Sequence, residues 1–304
     1  MTRPFRFAVI ARWAGGGTRW HDFARRAEGL GYDTLLITDH MGPQLAPVPA
    51  MMAAADATTR LRVGSFVFAN DYRNPVMLAK EIATVDALSA GRVEWGLGAG
   101  WAAPDYKQLG IPYDAPAVRV SRFEEAVRLI KRLLSEESVD HHGTYYTVSG
   151  ARILPRPTQR PYPPLMIGGG APRVLRIAAR EADIVSFVPG FNARGRPRVD
   201  MLRMNTLVPR LERLHAERGD RELDINVWLM DAAVTDHPRS RIAAITSRLR
   251  WGANAMFNSP YFLYGSRSSL RDLLRERRER YGLNYISIPG GALDAFAPVI
   301  ADLR

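Results

Sequence analysis

Apolar residues follow two alternating rhythms along this chain. Short runs with few polar interruptions lie at residues 5–11 (FRFAVIA), 34–38 (TLLIT), 61–68 (LRVGSFVF), 93–98 (VEWGLG), 164–169 (PLMIGG), 183–189 (DIVSFVP), 225–234 (INVWLMDAAV) and 285–289 (YISIP). Their length and their content of Val, Ile, Leu and Phe predict buried β-strands. Between them, apolar positions return every three or four residues, as at Leu78, Ile82, Val85 and Leu88 or at Phe123, Val127, Ile130 and Leu134. That is the spacing of one buried helix face. Strand and helix alternate from end to end, which implies parallel strands. Eight such units predict an α/β protein closed into a (β/α)8 TIM barrel, a single domain over residues 1–304.

One segment departs from the rhythm. Residues 135–164 hold five prolines and two glycines and no helical spacing. They predict an insertion between the fourth helix and the fifth strand, built as a small hairpin with a proline-rich return. A second polar excursion, GFNARGRPRVD at 190–200, is expected beside the barrel mouth.

Composition narrows the chemistry. The chain has 304 residues and no cysteine, so disulfides, thiolate nucleophiles and cysteine-ligated metals are excluded, and no metal site is read from the remaining residues. No run of about 18 apolar residues and no leader-like N-terminus are visible, so a soluble cytoplasmic protein without membrane association is expected. The formal net charge is +11, yet the only lysines are Lys80, Lys107 and Lys131; the other basic residues are arginines dispersed over the whole length. Nucleic-acid binders concentrate their charge, so no nucleic-acid partner is expected, while a small anionic ligand remains compatible.

The densest glycine pattern is RVEWGLGAGW at 92–101. Its spacing, G-x-G-x-G, followed by Trp101 and a loop with Pro104, Pro112 and Pro116, does not match a dinucleotide-binding turn, which needs G-x-G-x-x-G opening a helix. Gly98 and Gly100 instead stand where a barrel strand ends, and they would let a flat ring approach closely. Trp101 reads either as a wall of the pocket or as packing under the next loop. Asp39 and His40 close the second strand, at the face where barrels carry their chemistry. After the fifth strand, Gly168, Gly169, Gly170 and Ala171 precede a helix bearing Arg173 and Arg176. Their backbone N–H groups read as a phosphate site, with a plain tight turn as the alternative. Arg12 and Trp13, after the first strand, could reach the substrate side.

Several of these stretches carry a resemblance. AEGLGYDTLLITDH, LRVGSFVFANDYRNPVMLAKEIATVDALSAGRVEWGLGAGW, YKQLGIPYD, PLMIGGG and the late YFLYGSRSSLRDLLRERRERYGLNYISIP together resemble the luciferase-like monooxygenase superfamily, in particular its actinobacterial deazaflavin-dependent oxidoreductases. The resemblance implies a bacterial luciferase-like barrel that binds coenzyme F420, or alternatively FMN, and transfers a hydride between the deazaflavin C5 and a small organic substrate. It places Asp39 and His40 beside the reactive ring, with His40 as general acid or base. It places a non-prolyl cis peptide behind the ring at Ser65-Phe66, or at Gly64-Ser65 in the other register, with Asn70 and Arg73 near the ring and the mouth. It puts the coenzyme phosphate at Gly168–Ala171 and Arg173, and it implies a homodimer. Where the sugar-phosphate dehydrogenases of the superfamily have a Glu and an Asn, this chain has Trp101 and Pro104, so their substrate is not carried over. An FMN-dependent monooxygenase and a non-catalytic flavin- or deazaflavin-binding protein stay open as alternatives.

Overall fold

The computed structural model describes residues 3–12, 16–191, 197–249 and 252–304; Trp13 and part of the 190–200 excursion fall outside them. In chain order the strands are β1 (Arg6–Ala11), β2 (Thr34–Ile37), β3 (Arg62–Ser65), β4 (Phe68–Ala69), β5 (Val93–Gly98), β6 (Val139–His142), β7 (Thr147–Ala151), β8 (Leu165–Gly168), β9 (Ile184–Phe187), β10 (Asp224–Trp228), β11 (Asp231–Val234), β12 (Phe262–Gly265) and β13 (Leu283–Pro289). The helices are α1 (Thr18–Gly29), α2 (Pro47–Asp56), α3 (Pro75–Leu88), α4 (Ala103–Leu109), α5 (Pro116–Ser135), α6 (Pro172–Glu181), α7 (Met204–Arg218), α8 (Pro238–Leu249), α9 (Ala253–Phe257), α10 (Arg267–Tyr281) and α11 (Leu293–Leu303).

The main sheet runs β3-β2-β1-β13-β10-β9-β8-β5-β4, and β3 also pairs with β5, which closes it. All its pairings are parallel. Counting β3 and β4 as one interrupted strand gives eight staves, the predicted (β/α)8 barrel. Alternation within the strands divides the core. Phe7 and Val9 of β1, with Leu35 and Ile37 of β2, pack in the larger cluster beneath the helices. Ala8, Ile10 and Leu36 join Phe66, Met166, Ile184 and Tyr285 in a second cluster. A period of two sends neighbours to opposite faces, so that second cluster is the barrel interior.

The lower interior is charged, which the strand pattern did not announce. Glu94 of β5, 1% exposed, accepts from Arg6, from Arg62 Nε at 2.7 Å and from the Tyr285 hydroxyl at 3.1 Å. Asp224 accepts from Arg6 Nη1 at 2.7 Å and from Asn284 at 2.8 Å. A buried carboxylate is tolerable only when paired in this way.

The insertion has the expected form. β6 and β7 make an antiparallel hairpin, and Trp95 Nε1 donates to Pro163 O at 2.7 Å where the return reaches the barrel. Burial pushes the Glu125 carboxyl up, but bonds from His141 and from the N–H groups of Thr144, Tyr145 and Tyr146 hold it below its ordinary value. Those bonds fix the hairpin turn to α5.

Two strand expectations are corrected. The run at 225–234 is two strands: the barrel stave ends at Trp228, and β11 leaves the barrel to pair with β12. The run at 61–68 is interrupted, and the cis peptide lies at Phe66-Val67, one residue beyond Ser65-Phe66 and two beyond Gly64-Ser65. Space decides the register. Ser65 is held in the wall by bonds between its hydroxyl and Gly96, at 2.8 and 2.9 Å, while Val67 lies over strands that lack side chains there. A Cβ on Gly96 would come within 2.6 Å of Val67 Cγ1, one on Gly98 within 2.9 Å of Cγ2, and one on Gly168 within 3.3 Å of Cγ1. Among the described residues no helix is long and apolar enough to cross a membrane.

Candidate active site

A cavity of about 790 Å³ opens at the C-terminal ends of the barrel strands. Its floor includes Phe66 and Val67, with Trp228 tilted against Phe66 at 6.1 Å between centroids. The glycines of β5 and β8 shape this floor indirectly: Gly98 and Gly168 border the cavity, and they also make room for Val67. Gly100 is fixed for another reason. It has φ +75°, and a Cβ there would stand 1.9 Å from the Tyr106 hydroxyl, so both backbone and packing require glycine.

At the end of β2, His40 and Asp39 have different partners. His40 Nδ1 lies 2.6 Å from Asp105 Oδ2 on α4. An ionised carboxylate only accepts, so Nδ1 carries the proton and Nε2 is the ring nitrogen left for the cavity. Tyr72 donates to the same Asp105 oxygen at 3.3 Å, and burial, reinforced by Asp105, pushes its phenol up, so it stays a donor. Asp39 also borders the cavity, but its carboxylate takes Arg73 Nη1 at 2.6 Å, Arg73 Nη2 at 3.1 Å and the Ala69 N–H at 3.0 Å. Asp39 therefore ties the β4 segment to β2, and Asp105 orients the imidazole.

Across the mouth, the turn after β8 meets Arg210, and Arg119 lines the same cavity. Gly169 N–H is already committed to Ser186 O at 3.0 Å, which leaves Gly170, Ala171 and the first turn of α6 to offer donors. Arg210 of α7, 9% exposed, uses Nε on Thr206 O and Nη2 on the Tyr261 hydroxyl, but its buried Nη1 has no partner. That atom stands 2.5 Å from where a Gly170 Cβ would be. Arg119 of α5, 6% exposed, also leaves its buried Nε unpartnered, and both arginines line the cavity. Buried donors without acceptors are costly, and a phosphate on the helix N-terminus would satisfy Arg210 Nη1; Arg119 has Nη1 on Asp114 O at 2.6 Å and its guanidinium 4.1 Å from the Tyr113 ring centroid. The donor set fits the phosphate of a flavin or deazaflavin coenzyme.

Aromatic side chains cover the opening. Trp101, 42% exposed, stacks on Phe191 at 4.8 Å and meets the His40 ring edge-on at 5.4 Å, and Phe191 continues to Trp228 at 6.0 Å. Trp101 lines the cavity as well as packing on Phe191. The described ends of the 190–200 excursion reach the mouth: Gly190, Phe191, Pro197 and Arg198 line the cavity, Phe191 bridges to Pro197, and Arg198 N–H donates to Gly190 O at 2.7 Å.

Four expected site residues are not brought to the cavity. Gly64 lies in the wall, where a Cβ would meet Glu94 O at 2.3 Å, and Ser65 is spent on Gly96. Asn70 is buried and donates to Asp71 and to the Tyr146 hydroxyl, linking its loop to the hairpin. Arg173 points to α5, bonding Ala117 O and Glu124. The residues that sequence reading missed are Asp105, Arg119, Arg210, Phe191 and Trp228. Asp105 alone had a signal, as the nearest carboxylate after the fourth-strand glycines.

Comparison with known proteins agrees with this architecture. Residues 11–284 match the luciferase-like monooxygenase family. An F420-dependent glucose-6-phosphate dehydrogenase of Microbacterium testaceum is 31% identical over 247 residues, 78% of this chain and 70% of that protein. An F420-dependent secondary alcohol dehydrogenase, solved with an F420-acetone adduct, superposes with a TM-score of 0.80 at 20% identity, covering 99% of this chain and 100% of that one. The coenzyme F420-dependent tetrahydromethanopterin reductase of Methanopyrus kandleri gives 0.78 at 17% identity, over 99% and 100%. Matched along most of its length and folded as the same barrel, the chain belongs to the luciferase-like monooxygenase family.

Proposed function

We propose that this protein is a coenzyme F420-dependent oxidoreductase acting on a small organic substrate, with His40 handling the proton that accompanies hydride transfer. The observation that carries this reading is the pairing, within one cavity, of unpartnered cationic donors at Arg210 and Arg119 with the His40–Asp105 pair across the mouth. Between them the walls are largely apolar, as a flat ring requires. When bound, the coenzyme supplies or accepts a hydride at C5.

The chain's own residues do the rest. Gly170, Ala171, Arg210 and Arg119 would hold the phosphate, and Phe66, Val67, Gly98 and Gly168 would bed the ring. His40, with Nδ1 fixed by Asp105, keeps Nε2 available to give a proton to a substrate oxygen or to take one from it. Trp101 and Phe191 limit water entry at the mouth. The resemblance sets Trp101 and Pro104 at the places of a Glu and an Asn in the sugar-phosphate dehydrogenases, so a substrate other than a sugar phosphate belongs to this proposal. A cytoplasmic homodimer belongs to the same proposal, and equilibrium sedimentation checks the dimer.

Parallel calorimetric titrations with coenzyme F420 and FMN at one salt concentration test the reading. Preferential binding of F420, followed by oxidation of the reduced coenzyme without oxygen uptake, is the expected result. Tighter FMN binding with oxygen consumption would replace it with a flavin monooxygenase. Binding without turnover across a broad substrate panel would leave only a carrier.

A further inference from the structure

A second cavity of about 690 Å³ adjoins the first and shares Arg12, Trp228 and Met230 with it. Its other walls come from the ends of β1 and β13 and from α1, among them Ile10, Phe23 and Pro289 on the apolar side and Arg19 and Arg26 on the charged side. Arg26 is paired with Asp294, and Asp22, the one acid among the described residues lining this cavity, faces Arg25 at 3.4 Å. Arg12 differs. Its guanidinium lies 6.0 Å from the Trp228 ring centroid, where the two spaces join. Arg12 is exposed, and a cation within reach of an aromatic face at the junction of two largely apolar cavities is placed to receive an anion that enters with an apolar body.

We infer that the substrate is an elongated organic anion, with an unsaturated carbonyl or related alcohol head under Trp101 and Phe191 beside His40, and a carboxylate-type end at Arg12 in the second cavity. The position of the head rests on the hydride-transfer reading, whereas the preference for an anion is a property of binding. The coenzyme's own acidic groups are a different source of negative charge. They follow its phosphate, which the donor set holds beside β8, whereas β1 stands four barrel strands away from β8.

The test uses aryl methyl ketones that carry a terminal carboxylate on polymethylene chains of increasing length, each paired with its methyl ester. Calorimetry follows their binding to the wild-type protein, Arg12→Gln and Arg12→Lys, with and without coenzyme F420. The expected result is an acid bound about tenfold tighter than its ester at low salt, with an optimum chain length. In Arg12→Gln the ratio falls to near one, and in Arg12→Lys it partly returns. Equal binding of acid and ester, a preference that survives in Arg12→Gln, or binding of neither probe would overturn the inference. A loss of F420 affinity in Arg12→Gln would also overturn it, by assigning the arginine to the coenzyme. Failure of the wild-type protein to bind F420 would sink the hydride reading alone, because the acid-to-ester ratio is measured without coenzyme as well.

Discussion

His40 and Asp105 meet at 2.6 Å although 65 positions separate them and different barrel units supply them. The contact gives the imidazole one tautomer and one orientation, and Tyr72 shares the carboxylate without displacing it.

Replacing Asp105 with Asn keeps the shape and removes the fixed acceptor. The expected outcome is a fall in kcat of about a hundredfold with little change in coenzyme affinity. Steady-state kinetics beside a coenzyme titration separates the two. An unchanged kcat would show that the imidazole needs no orienting partner.

Arg210→Gln removes the unpartnered Nη1 beside Gly170. Affinity for the phosphate-bearing coenzyme should fall by roughly tenfold to a hundredfold, the worth of a charge-assisted bond. A deazaflavin riboside without the phosphate should bind wild type and variant alike. Equal losses for both ligands would mean that the arginine only supports the fold.

Gly96→Ala places a Cβ 2.4 Å from Ser65 O and 2.6 Å from Val67 Cγ1. Backbone cannot yield as a side-chain tip can, so a loss of about 3 kcal/mol is expected in denaturant unfolding. Gly291→Ala, with nothing within 4 Å of the new atom, is the control and should stay within about 0.5 kcal/mol.

The hairpin clamp sets a pH dependence. Despite burial, the bonds to Glu125 hold its carboxyl below the ordinary 4.5, so its contribution is complete at neutral pH and is lost as pH falls through the folded value. The protection factors of the Tyr145 and Tyr146 amides, intrinsic over observed exchange rate, should fall in that acid range in the wild-type protein. In Glu125→Gln the same amides should already be fast at neutral pH.

The barrel was legible because its strands repeat one physical requirement, apolar residues on both faces, and its helices another. The hairpin was legible from its prolines and glycines. The break after Trp228 was not, since INVWLMDAAV is equally suited to one long strand and to two short ones that pair with different neighbours. The cavity lining was legible where position on a strand implies it, as at His40 and at Gly168–Ala171. Arg119 and Arg210 were hidden because arginine is dispersed throughout this chain, and only the fold shows that these two line the cavity with a buried donor to spare. Asn70 and Arg173 misled for the converse reason: each is near the site in sequence, but its side chain has an acceptor elsewhere.

The aromatic cover also has an optical consequence. Trp101 and Trp228 are two of the chain's six tryptophans, and both line the cavity, whereas Trp20 and Trp95 lie in the core beneath the helices. A chromophore seated there would take up their excitation, so occupancy becomes readable as quenched indole emission without any label. Replacing Trp101 and Trp228 one at a time with Phe would divide that signal between the cover and the junction, turning the wall of the pocket into its own gauge.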